Sequence, residues 1–240
     1  MRIDGRENHQ LRPIQVTTGF ADYAEGSVLI QCGKTIVLCC ASVEEGAPHH
    51  VPEGTGWVTA EYSMLPRANR ERSKRDISRL KLSPRSAEIQ RLIGRSLRGA
   101  VDLEKLGDRT ITVDCDVLQG DGGTRTASVT GGYLALALAC RRLVKEGRIA
   151  ESPLLCQVAA VSAGIVNDEL LLDLCYEEDS TAQVDLNCVM NDKGELIELQ
   201  GTGEGRGFTP EEQQALVRLC AGGIRELLAM QKELLEGMDE

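Results

Sequence analysis

Aromatic residues are nearly absent from this 240-residue chain, which has two Phe, one Trp and four Tyr. A core without rings must be built from Leu, Val, Ile, Ala and Cys. Stacking of bases on an aromatic platform is then not the main mode of any RNA contact. Histidine is scarcer still. His9, His49 and His50 all fall early and in loop-like sequence, which argues against a nuclease or hydrolase with a His-centred triad. The nine cysteines include no Cys-x-x-Cys pair, so neither a disulfide framework nor a zinc site is indicated. Adjacent Cys39 and Cys40 read as core filler, and free thiols suit a reducing cytosol. The polar, charged N-terminus lacks a signal-peptide core. The longest mostly apolar run, 154–166, is too short to span a bilayer. These absences point to a cytoplasmic protein with no membrane partner.

Charge is unevenly distributed. The net charge of −10 would discourage a nucleic-acid partner. Yet residues 67–98 hold 11 Arg and Lys against Glu71, Asp76 and Glu88, a local net of +8 that leaves −18 on the rest. One basic face on an acidic body suits a polyanion. A solvated charge run or an inter-subunit salt-bridge face is the alternative.

The pattern of elements is α+β, with helices against mostly antiparallel sheets in a single domain over 1–240. Residues 28–31 and 35–43 around Gly33-Lys34 read as a hairpin, and 57–62 as a strand. A basic arm follows over 66–82. Ser83-Pro84 then caps a helix whose buried stripe is Ile89, Leu92, Ile93 and Leu97, with Arg91, Arg95 and Arg98 on another face. A helix rich in small residues is expected over 126–146. Residues 157–166 and 169–176 form a second hairpin, an echo of the first that hints at internal duplication, and 184–190 and 195–200 form a third. Thr209-Pro-Glu-Glu212 is a capping box that opens the last helix, with Leu216, Cys220, Ile224 and Leu227 inward.

The densest chemistry lies over 110–128. Ile111, Val113, Cys115 and Val117 alternate with polar residues as a half-buried strand does. Gly120, Gly122 and Gly123 follow, then a helix start with its unpaired N–H groups and the planar cation of Arg125. This is either an anion pocket, for which phosphate is the commonest guest, or a tight turn. It matches neither the P-loop nor the dinucleotide fingerprint. Arg85 sits in the first turn of its helix, where the dipole disfavours a cation. It needs an anionic partner, either a ligand phosphate or a nearby carboxylate. Carboxylates are the remaining catalytic supply. Glu177-Glu-Asp-Ser180 is read as closing one strand, and Asp185 sits in the next, sharing a face with Asn187. Six residues of straight strand would part Asp179 and Asp185 by roughly 20 Å. Cooperation needs a bend at Ser180-Thr181-Ala182. Converging, the pair would suit Mg²⁺ or Mn²⁺ with phosphate oxygens. Otherwise it is a solvated strand end. Asp114 and Asp116, a second pair on one strand face, read as structural or solvated.

Ordered motifs along nearly the whole chain resemble the bacterial ribonuclease PH family. They are Asp4-Gly-Arg6, Leu11-Arg-Pro13, Glu25-Gly-Ser-Val28, Gly56-Trp-Val-Thr-Ala-Glu-Tyr62, Met64-Leu-Pro-Arg67, Glu88-Ile-Gln-Arg-Leu-Ile-Gly-Arg95, Asp114-Cys-Asp-Val117, Asp121-Gly-Gly-Thr-Arg-Thr-Ala-Ser128, Glu178-Asp-Ser180, Val184-Asp185 and Leu199-Gln-Gly-Thr202. The resemblance implies the internally duplicated ribonuclease PH fold (ribosomal protein S5 domain 2-like) with mixed and antiparallel sheets. It also implies a phosphorolytic 3′→5′ exoribonuclease that trims precursor tRNA, with ribosomal RNA as a further substrate, using inorganic phosphate and releasing nucleoside diphosphates. By similarity, Arg85, Gly123, Thr124 and Arg125 hold phosphate, and Asp179 and Asp185 are catalytic and bind Mg²⁺ or Mn²⁺. Arg67, Arg70, Arg72 and Arg75 form the RNA-binding arm, and the assembly is a homohexamer, a trimer of dimers.

The chain departs from the family pattern at Pro84, where a glycine is usual, at Gly120, where alanine is usual, and in the arm sequence Asn69-Arg-Glu-Arg72. An exosome-like ring subunit, a catalytically silent RNA-binding ring component and a small-molecule kinase are the rival readings. The last leaves the basic face unexplained.

Overall fold

A computed structural model of the protein describes residues 2–75, 78 and 80–238. In chain order its elements are β1 (Ile14–Thr18), β2 (Gly26–Cys32), β3 (Thr35–Glu45), β4 (Trp57–Met64), α1 (Pro84–Arg98), α2 (Leu103–Leu106), β5 (Arg109–Gln119), α3 (Thr124–Lys145), β6 (Val158–Val166), β7 (Glu169–Leu172), α4 (Tyr176–Asp179), β8 (Val184–Asn191), β9 (Leu196–Gly203) and α5 (Pro210–Glu236). They make two sheets, ordered β1-β2-β3-β5-β4 and β7-β6-β8-β9. All pairings are antiparallel except β4 with β5, which α1 links by a crossover.

The helix α3 explains how the two sheets become one body. It packs on β2, β3 and β5 of the first sheet and on β6 and β8 of the second. It is buried nearly all round, so its apolar and small residues need no stripe. Small residues let it approach closely. A Cβ on Gly131 would stand 2.7 Å from Ile30 Cγ2, and one on Gly26 would meet the Ala135 carbonyl at 2.1 Å. The main core cluster lies between α1, α3 and the first sheet. A second lies between α5 and the second sheet, where Leu216, Cys220, Ile224 and Leu227 are buried as their spacing requires, and a small third one gathers Val166, Leu171, Leu174 and Ala182.

The caps form as the sequence predicts. Ser83 Oγ accepts from Ser86 N at 3.0 Å with Pro84 in the first turn. Thr209 and Glu212 close a reciprocal capping box at α5. Cys39 is fully buried, whereas Cys40, pointing to the other face, is half-buried. The structure corrects one expectation. The second hairpin does not run to Tyr176: β7 ends at Leu172, where Asp173 takes φ +52° and breaks the ladder. Residues 176–179 are therefore a single helical turn, not a strand end. The helix after the glycine loop starts two residues earlier than the sequence reading, at Thr124, bringing Arg125 into its first turn. Of the basic arm, residues 76, 77 and 79 lie outside the described residues.

Candidate active site

The ends of α1, α3 and α4 meet the start of β8 and the end of β9 around a polar cavity of about 430 Å³. Arg85 and Glu88 reach it from α1, Arg125 from α3, Asp179 from α4, Asp185 from β8 and Gln200 from β9. The bend required between the two aspartates is real, but a helical turn makes it. Ser180 N and Thr181 N fold back on the carbonyls of Tyr176 and Glu178, and the chain re-enters the sheet at Val184.

That one-turn helix is held from a distance. Glu178 caps it by accepting from Cys175 N at 3.1 Å, and Arg2 grips Glu178 with Nε at 2.8 Å and Nη2 at 2.6 Å. Arg12 ties the neighbouring segment to the glycine loop. Its Nε and Nη2 bind Asp173 at 3.1 and 2.7 Å, while Nη1 donates to the Asp121 carbonyl at 2.6 Å. Thr35 Oγ1 accepts from Asp121 N at 2.9 Å and donates to the Gly122 carbonyl at 2.7 Å, completing the loop's support. Gly122, with φ +74°, leaves room for the Leu174 carbonyl, which a Cβ would meet at 2.4 Å. Arg6 and Arg12 lie in motifs the sequence singles out and Arg2 does not, and nothing local to any of the three indicates these partners.

The loop ends in Gly123, left-handed at φ +62°, which caps α3 without a side chain. Thr124 is buried with its hydroxyl 2.9 Å from that of Tyr62. Gly123 and Thr124 thus stand at the helix N-terminus beside Arg125 but not on the cavity wall, and offer an anion backbone N–H groups. Arg125 donates through Nη1 to Glu88 at 3.1 Å and to Gln200 Oε1. Arg85 makes no hydrogen bond or ion pair to another described residue. Of the two partners open to it, no carboxylate among the described residues closes on it within salt-bridge reach.

Burial pushes the Asp185 carboxyl up to about 6, helped by the charge of Asp179 and opposed by Arg125. Burial also raises Asp179, against the pull of Arg85 and Arg125. Asp185 Oδ2 accepts from Asn187 at 3.2 Å, but Oδ1 is buried with no hydrogen-bond partner among the described residues. An orphaned carboxylate oxygen beside a second carboxylate fits a hard cation that completes its shell with water and substrate phosphates. No cluster of three His, Cys, Asp or Glu occurs among the described residues, so the chain itself would supply two ligands at most there.

Arg67, Arg70, Arg72 and Arg75 are all exposed. Arg70 pairs with Glu177 at 2.7 Å and lies 5.6 Å from the centroid of the Tyr176 ring, so the arm rests beside α4. Part of the other basic stripe is spent within the fold: Arg95 binds Glu198 at 2.9 Å, and Arg98 covers Trp57 at 4.3 Å.

Residues 10–141 match the model of the 3′ exoribonuclease family, domain 1, and residues 156–219 match domain 2 of the same family. Proteins named ribonuclease PH from two strains of Dehalococcoides mccartyi, BAV1 and CBDB1, are each 53% identical over 236 residues, 98% of either chain. Among solved structures, rice (Oryza sativa) Rrp46 superposes with a TM-score of 0.80 at 19% identity, covering 98% of this chain and all of the other. An archaeal exosome core does so with 0.78 at 23%, covering 96% and 91%. The Archaeoglobus fulgidus exosome with RNA bound to its active site gives 0.77 at 23%, covering 94% and 91%. At these identities the structural likeness is one of fold.

Proposed function

The chain belongs to the ribonuclease PH family of 3′ exoribonucleases, and we propose that the cavity between α1, α3, α4 and β8 is where its phosphorolysis takes place. The protein is a phosphate-dependent tRNA nucleotidyltransferase. It removes nucleotides from the 3′ end of precursor tRNA with inorganic phosphate as the attacking group, releases nucleoside diphosphates, and adds nucleotides in reverse.

The observation that carries the site is the meeting, in one polar cavity, of two cations with donors to spare and two carboxylates raised by burial. Phosphate is an anionic nucleophile approaching an anionic ester. Arg85, Arg125 and the N–H groups at 123–125 offset that repulsion and fix the in-line approach. The phosphate oxygen bonds to the terminal phosphorus, the bond to the 3′ oxygen breaks, and that oxygen takes a proton. Asp185, whose carboxyl burial raises and which lines the cavity, is the group placed to deliver it. Asp179 and Asp185 would hold Mg²⁺ or Mn²⁺, which supplies charge stabilisation on the scissile phosphate when bound.

The exposed arginines at 67, 70, 72 and 75 track the RNA backbone, and trimming extends to ribosomal RNA 3′ ends. A homohexamer built as a trimer of dimers would place several such arms around the substrate. Leu29 and Leu38, paired across β2 and β3 on the half-exposed outer face of the first sheet, support an assembled form. No helix among the described residues is long and apolar enough to cross a membrane.

The test is to incubate the protein with tRNA carrying extra 3′ nucleotides and Mg²⁺, with and without phosphate. Phosphate-dependent release of nucleoside diphosphates, lost in Arg125→Ala and Asp185→Ala, is expected. Monophosphates formed without phosphate would discard the pocket assignment.

A further inference from the structure

The reaction leaves two charged side chains of the cavity, Glu88 and Glu204, without a task. Glu88 follows Arg85 by one turn of α1 and borders the same space. A carboxylate there repels an incoming anion, so its presence calls for a compensating role. Its Oε1 accepts from Arg125 Nη1 at 3.1 Å and from Gln200 Nε2 at 2.8 Å. Gln200 Oε1 in turn accepts from the same Nη1. Three side chains from α1, α3 and β9 thus close a ring around a single guanidinium nitrogen.

The choice of nitrogen matters. Arg2, Arg12 and Arg95 each seize a carboxylate with the Nε–Nη2 edge. That edge matches two oxygens of an oxyanion at once. Arg125 is held by Nη1 alone, and its Nε and Nη2 have no hydrogen-bond partner among the described residues.

We propose that Glu88, together with Gln200, is a positioning residue that pins Arg125 by Nη1 and so presents its two-donor edge to the attacking phosphate. The inference rests on the reading of Arg125 as a phosphate ligand. The pin removes the rotamer freedom that a long side chain would otherwise lose on binding, and phosphate gains the difference.

Steady-state phosphorolysis of a 3′-extended tRNA, with phosphate and RNA varied separately, tests it. Glu88→Ala is expected to raise the KM for phosphate about five- to tenfold, the size of one side chain's ordering cost. KM for RNA and the melting temperature should change far less. Glu88→Gln, which keeps an acceptor oxygen for Nη1, should recover most of the loss. A fall in the phosphate KM in both variants would overturn the proposal, because Glu88 would then be a competing anion. So would a parallel drop in melting temperature, kcat and RNA affinity, the mark of a structural role. Arg125→Ala separates the two readings. If it raises the phosphate KM and Glu88→Ala does not, only the role of Glu88 fails. If it leaves phosphate saturation unchanged, the phosphate site fails and takes Glu88 with it.

Discussion

Asp114 and Asp116 on β5 border a cavity of about 630 Å³, Asp179 and Asp185 one of about 430 Å³, and each pair contains a carboxyl pushed up to about 6. Their surroundings differ. Among the described residues no cation opposes the rise at Asp114, which burial and then Glu61 and Asp116 produce, and Arg75 alone opposes the rise at Asp116. Asp179 and Asp185 are raised by burial too, but Arg85 and Arg125 both act on the pair. The first pair comes from two positions on one strand. The second is assembled from a helical turn and a strand, and that turn is held by residues from the start of the chain. A raised carboxyl therefore reports burial. Convergent elements and opposing cations are what mark a place for chemistry.

Single substitutions break this comparison most sharply. Asp185→Asn is expected to cost about 10³-fold in phosphorolysis, in line with loss of a main transition-state contact. Its melting temperature should not fall, since a buried charge is removed. Asp116→Asn should stay within about twofold of the parent in the same assay, because Arg75, the cation that acts on it, is an exposed residue of the arm and not part of a convergent site. Equal losses in both would erase the distinction.

The anchoring of the active pair is tested by Arg12→Ala. It strands Asp173, whose side chain is 7% exposed, without its bidentate partner. Urea unfolding should show a loss of about 3 kcal/mol, typical of one deleted partner in a buried ion pair. The arm gives a smaller effect. Arg70→Ala with Arg72→Ala should weaken RNA binding about tenfold at low salt, and lower the salt slope by roughly 0.7 for each lost contact to single-stranded phosphate.

Asp114 gives the smallest change and the opposite sign. Its folded-state pKa is raised, so the ionised form costs stability above about pH 6, and that cost fades as pH falls through 6. Asp114→Asn should raise the melting temperature at pH 8 by about 2–4 °C and leave it unchanged near pH 4, after discounting for the solvent that reaches this half-exposed group.

Much of the fold was readable because its signals are local. The capped starts of α1 and α5, the hairpin turns and the glycine loop before α3 all depend on residues a few positions apart. Two parts of the site were legible for the same reason: Arg125 follows its loop directly, and Asp185 shares a strand face with Asn187. The helical turn that carries Asp179 was not. Four residues are too few for a period to show, and its stability comes from Arg2, 176 positions away. The parallel pairing of β4 with β5 was hidden likewise, since each strand alone has the same alternation in either orientation. Glu88 and Gln200 sit in motifs visible in the sequence, but their shared hold on Arg125 exists only once α1, α3 and β9 are together.

The early arginines also set an order of events during synthesis. Arg2 and Arg12 find their partners 176 and 161 residues downstream. Contacts of such long range close last, because the intervening chain must first be made and folded. The turn bearing Asp179 cannot be fastened while the ribosome is still producing the second sheet. The carboxylates of the cavity therefore converge only after both sheets have been made and the first residues of the chain have come back to the second.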